Sequence, residues 1–97
     1  MGNLKRYFEK NAVYFVTTAT KDRKPLFENR KYCRILLISI EYFKSMFDYE
    51  VYGYCLMPDH FHIILKPTGQ FSLSYIMQMI KGSFTRKVNK LKNEMGP

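Results

Sequence analysis

Residues 50–67, EVYGYCLMPDHFHIILKP, hold two runs of strand-forming residues divided by a Pro-Asp pair. Residues 50–58 alternate with a period of two, Pro58 and Asp59 turn the chain, and residues 60–67 supply the next strand. So short a connection predicts an antiparallel hairpin. Side chains alternate across a strand, so His60 and His62 share one face while Phe61 and Ile63 take the other. These are the only two histidines of the chain.

Upstream, NAVYFVTTAT (residues 11–20) is rich in β-branched and aromatic residues and reads as a first strand. Val13, Phe15, Thr17 and Ala19 lie on one face of it, and Tyr14, Val16 and Thr18 on the other. KDRKPLFEN follows, charged and broken by Pro25, as a loop. Asn29 caps a helix through RKYCRILLISIEYFKSMF, where Leu36, Leu37, Ile40, Phe43 and Phe47 recur at helical steps.

Downstream, Ser72 caps a second helix, with Phe71 and Ile76 placed to form a hydrophobic staple. Its apolar stripe is Leu73, Ile76, Met77, Ile80, Phe84, Val88 and Leu91. Strand, helix, strand, strand, helix predicts an α+β fold of the ferredoxin-like, split β-α-β kind, with an antiparallel sheet and both helices on one face. One closing strand of that arrangement is then missing after Pro97.

Ninety-seven residues allow a single domain, 1–97, with one core. Apolar residues at 46% and aromatics at 16% exclude a disordered chain. Sixteen Lys and Arg against eight Asp and Glu leave a charge of +8, which favours a polyanionic partner through salt-sensitive attraction. No apolar run nears the roughly 20 residues of a membrane span, and the polar start MGNLKRYFEKN lacks the core of a signal peptide. A cytoplasmic protein with no membrane partner is expected. Cys33 and Cys55 have no close-paired spacing and read as small buried hydrophobes.

Two imidazoles converging from one strand offer half of a metal site, with positions left open for substrate oxygens. Phe61, Ile63 and Leu65 would anchor the strand from its other side. Two alternatives stay open: polar groups on a partly wet sheet face, or a zinc site that adds Cys55. On the second helix, Lys81, Arg86, Lys87, Lys90 and Lys92 are candidates for phosphate contacts, against the alternative of a solvated charged face. Tyr14, Tyr52 and Tyr54 are candidates for base stacking or for core packing.

YGYCLMPDHFHIIL, from Tyr52 to Leu65, resembles the signature of the HUH endonucleases, and within them the single-tyrosine transposases: the IS-two-hundred-like insertion-sequence group and the REP-associated tyrosine transposases. YFVTTAT, from Tyr14 to Thr20, looks like the first strand of that family, and SLSYIMQMIKGSFTRKVNK, from Ser72 to Lys90, like its helix after the histidine strand. The resemblance implies Mg²⁺ or Mn²⁺ held by His60 and His62. It also implies breakage of single-stranded or hairpin DNA by a tyrosine that becomes joined to the 5′ phosphate and releases a 3′ hydroxyl. Homodimers also occur in the family.

The family's tyrosine lies on a further helix, followed four residues later by Gln or Asn, and that helix is expected beyond Pro97. Tyr75 is the only tyrosine after the histidines; Gln78 follows it by three residues, so it fits the pattern poorly as a nucleophile. The expectation is a transposase domain that carries the metal-binding half of the site without its nucleophile, so that it would not nick DNA alone. The rival reading is a non-catalytic nucleic-acid-binding module of ferredoxin-like fold, indifferent to metal.

Overall fold

Asn29 starts the first helix as its sequence predicts, its Oδ1 accepting the Lys31 backbone N–H at 2.8 Å. In the computed structural model, which describes residues 11–94, this helix is α1, Arg30–Phe47. Leu36, Ile40, Phe43 and Phe47 bury its inner face, each side chain contributing roughly 1.5–3 kcal/mol of transfer free energy. Asp48 ends it in the left-handed region at φ 54°. Thr68 donates its N–H to the Asp48 carbonyl at 2.8 Å, and a Cβ on the adjacent Gly69 would fall 2.7 Å from that of Asp48. Only glycine permits so close an approach.

Three strands form the sheet: β1 (Tyr14–Ala19), β2 (Tyr49–Met57) and β3 (His60–Pro67), in the order β1-β3-β2. β3 runs antiparallel to both neighbours, so β1 and β2 are parallel with β3 inserted between them. That is the split β-α-β arrangement. Its register pairs Thr17 with His62 on one side and Cys55 with His62 on the other.

The second helix, α2, spans Leu73–Glu94, and the Ser72 hydroxyl accepts the Tyr75 N–H at 3.1 Å. Phe71 packs on Tyr75 and Phe47, with ring centroids 5.2 and 4.9 Å away, which ties the start of α2 to the end of α1. Ile76, Met77, Ile80, Phe84 and Val88 are buried, as are Phe61, Ile63 and Leu65 of β3. One core thus joins both helices to one sheet face. Where the helices cross, the buried hydroxyls of Ser39 and Ser83 lie 3.4 Å apart. No helix among the described residues is long and apolar enough to cross a membrane.

Three local features depart from the simple sequence pattern. β2 begins at Tyr49, which is buried and donates its hydroxyl hydrogen to the Ile40 carbonyl. A bulge between Val51 and Gly53 makes Tyr52 an extra residue and interrupts the alternation. Cys55, expected in the core, is exposed, and Cys33 is only partly buried. Cys55 pairs with His62 on the face that neither helix covers, so no apolar layer encloses its thiol. The closing strand and tyrosine helix expected after Pro97 lie outside the described residues.

Candidate metal and nucleic-acid site

The face of the sheet away from the helices presents Phe15 and Thr17 from β1, His60 and His62 from β3, and Cys55 and Met57 from β2. Burial of Phe61, Ile63 and Leu65 on the other side holds β3 rigid, so the two histidine Cα positions are fixed by the core. The imidazoles converge edge to face, with centroids 4.9 Å apart and planes at 81°.

Each ring is oriented through the same nitrogen. His60 Nδ1 lies 2.8 Å from Asp59 Oδ1, and because a carboxylate only accepts, Nδ1 must carry the proton. His62 Nδ1 lies 2.8 Å from Thr17 Oγ1, and in the matching tautomer it donates to that hydroxyl. Both Nε2 atoms are then left as bare acceptors.

A clamp behind the histidines fixes Asp59. The segment after β1 folds into two short 3₁₀ turns, Lys21–Arg23 and Leu26–Glu28. It is stitched to the β2–β3 turn by Thr20 N–H donating to the Asp59 carbonyl at 3.0 Å and Phe27 N–H donating to the Pro58 carbonyl at 3.0 Å. Arg23, at φ 54°, donates from Nε to Asp59 Oδ2 at 3.0 Å. Hydrogen bonds from His60 first, and from Arg23 second, lower the Asp59 carboxyl from 3.8 to about 2.

The donor set fits a metal held by two protein ligands. Among the described residues, no group of three or more His, Cys, Asp or Glu side chains could hold a metal ion. Cys55 is brought opposite His62 by the hairpin, but its thiol points to Met57 Sδ, 3.9 Å away. The remaining coordination positions would go to water and substrate oxygen. Imidazole nitrogen favours a first-row transition ion over Mg²⁺, so Mn²⁺ suits this set better of the two.

The five basic residues of α2 do not share one face. Lys81 and Lys92 line a cavity of about 360 Å³ between α2, β1 and the 3₁₀ segment, together with Lys21 and Lys24. Phe27, Phe61 and Phe84 contribute to its wall, and among the described residues no acidic side chain lines it. Arg86 lines a second, more open groove along β1 with Val16, Met77 and Gln78. Lys87 instead sits over the Tyr42 ring of α1, 5.9 Å from its centroid, and Lys90 is exposed. Tyr75 meets the rings of Phe71 and Phe47 where α1 ends and α2 begins, is partly exposed, and lies away from the histidine face.

Sequence reading missed Thr17, Asp59, Arg23 and Phe15 as parts of the site, and Lys21 and Lys24 as parts of the basic groove. Thr17 and Phe15 had one available signal, their position on the outward face of β1. Arg23 had none, because its contact spans 36 positions of sequence and depends on two consecutive positive-φ residues.

A family model described as IS200-like transposase matches residues 9–96. Among solved structures, a REP-associated tyrosine transposase bound to a REP hairpin is similar at 26% identity and a TM-score of 0.75, over 92% of this chain and 54% of that one. The chain therefore spans just over half the length of that transposase. A Deinococcus radiodurans protein described provisionally as a transposase shares the fold, with a TM-score of 0.72 at 19% identity over 93% of this chain and 68% of that one. No functionally curated protein matches the chain.

Proposed function

Because the chain belongs to the IS200-like transposase family, we propose that its open sheet face is the metal-binding part of an HUH-type single-stranded DNA endonuclease and strand transferase. One observation carries the reading: two imidazoles 4.9 Å apart on one strand face, each with Nδ1 engaged by a neighbouring side chain. His60 and His62 would hold Mn²⁺ or Mg²⁺ through Nε2. Bound there, the ion would withdraw charge from a phosphate oxygen and favour in-line displacement at phosphorus.

Asp59 keeps His60 in the tautomer that leaves Nε2 for a cation, and Thr17 orients the ring of His62. The lysines at the α2 groove, Lys81 and Lys92 with Lys21 and Lys24, neutralise DNA phosphates, and Arg86 extends the basic surface along β1. In this reading a tyrosine takes over the phosphodiester at the 5′ phosphate and a 3′ hydroxyl leaves, so the bond is conserved for rejoining. Tyr75 is not assigned that role, because its ring, though partly exposed, rests on Phe71 and Phe47 on the helix side of the sheet, opposite the histidine face. The likeness to a transposase bound to a REP hairpin supports hairpin DNA as the ligand.

The second reading, a nucleic-acid-binding module without catalysis, draws support from Tyr52 and Tyr54, both more than half exposed. A metal titration separates the two. Under the first reading Mn²⁺ raises the melting temperature in a saturable way, and His60→Ala or His62→Ala abolishes the rise. A rise that survives both substitutions, or no rise at all, removes the metal site.

A further inference from the structure

β1 sends two successive outward side chains to the same imidazole. Thr17 hydrogen-bonds its Nδ1, and Phe15 lies on its plane, with centroids 5.4 Å apart and an interplanar angle of 16°. Yet Phe15 remains 66% exposed, one of the most exposed large apolar side chains among the described residues. One face of the phenyl ring is covered by His62, and among the described residues no ring stacks on the other. A bare aromatic plane beside a cation site is costly to leave in water and has an obvious complement in a second flat ring.

Building on the function proposed above, we propose that Phe15 is a base-stacking platform, holding the unpaired base next to the phosphate that His60 and His62 face. The choice of occupant follows from the surroundings. The chain carries +8 overall, which favours a polyanionic partner, while near this face Arg23 is paired with Asp59 and Lys66 with Glu50. A phosphate alone gains nothing from a phenyl ring, whereas a nucleotide presents a charged group and a π-face a few ångströms apart. Bases within a duplex have no free face, which selects a single strand. Stacked on Phe15, the base would also press that ring onto His62 and so restrain the imidazole. Phe15 is thus a positioning and specificity residue, with no part in bond making.

Short single-stranded oligonucleotides carrying 2-aminopurine at successive positions, with Mn²⁺ present, test this on the full chain. Phe15→Leu keeps bulk but removes the π-face, and since the side chain is exposed its melting temperature should stay at the wild-type value. Affinity should fall roughly five- to hundred-fold for Phe15→Leu, the range for one stacked base, and Phe15→Tyr should retain it. One 2-aminopurine position should be quenched by the wild type and released by Phe15→Leu. An abasic site at that position should erase the difference between the two proteins. Equal binding by wild type and Phe15→Leu, or an equal loss on the abasic strand, overturns the inference while leaving the metal site standing. Failure of the wild type to bind any single strand overturns the proposed function with it.

Discussion

Asp59 and His60, adjacent in sequence, face each other across 2.8 Å from Oδ1 to Nδ1, and the carboxylate's other oxygen is held by Arg23. Neighbouring residues on a strand normally point to opposite faces. Here Asp59 belongs to the turn, and the clamp from Thr20 and Phe27 rotates it to meet the ring beside it. The carboxylate fixes the orientation of the imidazole and which nitrogen is free. Asp59→Asn should therefore weaken Mn²⁺ binding roughly 10- to 100-fold, the usual cost of losing an outer partner of a metal-bound histidine. Paramagnetic resonance of free Mn²⁺ during titration gives the affinity, and an Asn variant that binds like wild type would refute the role.

The same carboxylate titrates low. Its pKa falls from 3.8 to about 2, so the folded state favours the charged form. The stabilisation is complete above the ordinary value and disappears as pH drops from 3.8 towards 2. The His60 hydrogen bond is the larger cause and Arg23 the smaller. Carbon-13 NMR of the Asp59 carboxyl should show its midpoint moving up more in His60→Ala than in Arg23→Ala. The reverse order would mean that Arg23, not His60, holds the charge.

What the sequence disclosed and what it hid divide along a physical line. The hairpin, both helix caps and the buried stripes were readable because each rests on local periodicity or on a side chain bonding its own backbone neighbours. β3 begins and ends where its alternation does, and α1 runs from just after Asn29 to Phe47. The orientation of the imidazoles was not readable, since Thr17 reaches His62 from 45 residues away through strand pairing. The exposure of Cys55 depends on which sheet face the helices leave bare. The tilt of Lys87 towards α1 comes from a tertiary contact with Tyr42 that helical spacing alone does not select.

That division of the α2 lysines carries its own test. Lys81 and Lys92 line the cavity with Lys21 and Lys24, whereas Lys87 rests on an aromatic ring. Each phosphate contact on single-stranded DNA contributes about 0.7 to the slope of log affinity against log salt. Lys81→Gln with Lys92→Gln should lower the slope by about 1.4, and Lys87→Gln should lower it less than either single change. Affinities measured from low to moderate salt decide it; a Lys87 effect as large as that of Lys81 would place the DNA on the other side of α2.

Tyr49 is a buried phenol that bonds a helix carbonyl, joining the first residue of β2 to Ile40 in α1. Burial is the main force, with the nearby Glu41 charge second, pushing its ionisation well above the ordinary value of 10. Two consequences follow. Tyr49→Phe leaves the shape of the core intact but removes the donor, which should cost about 1 kcal/mol and lower the melting temperature by roughly 4–8 °C. The folded state also resists deprotonating this group, so its contribution is present below pH 10 and is lost as the pH rises beyond, where the unfolded chain ionises freely. Wild type should therefore lose stability to alkali faster than Tyr49→Phe, and the gap between their melting temperatures should narrow. Parallel losses in the two proteins would show that the phenol is not held neutral in the fold.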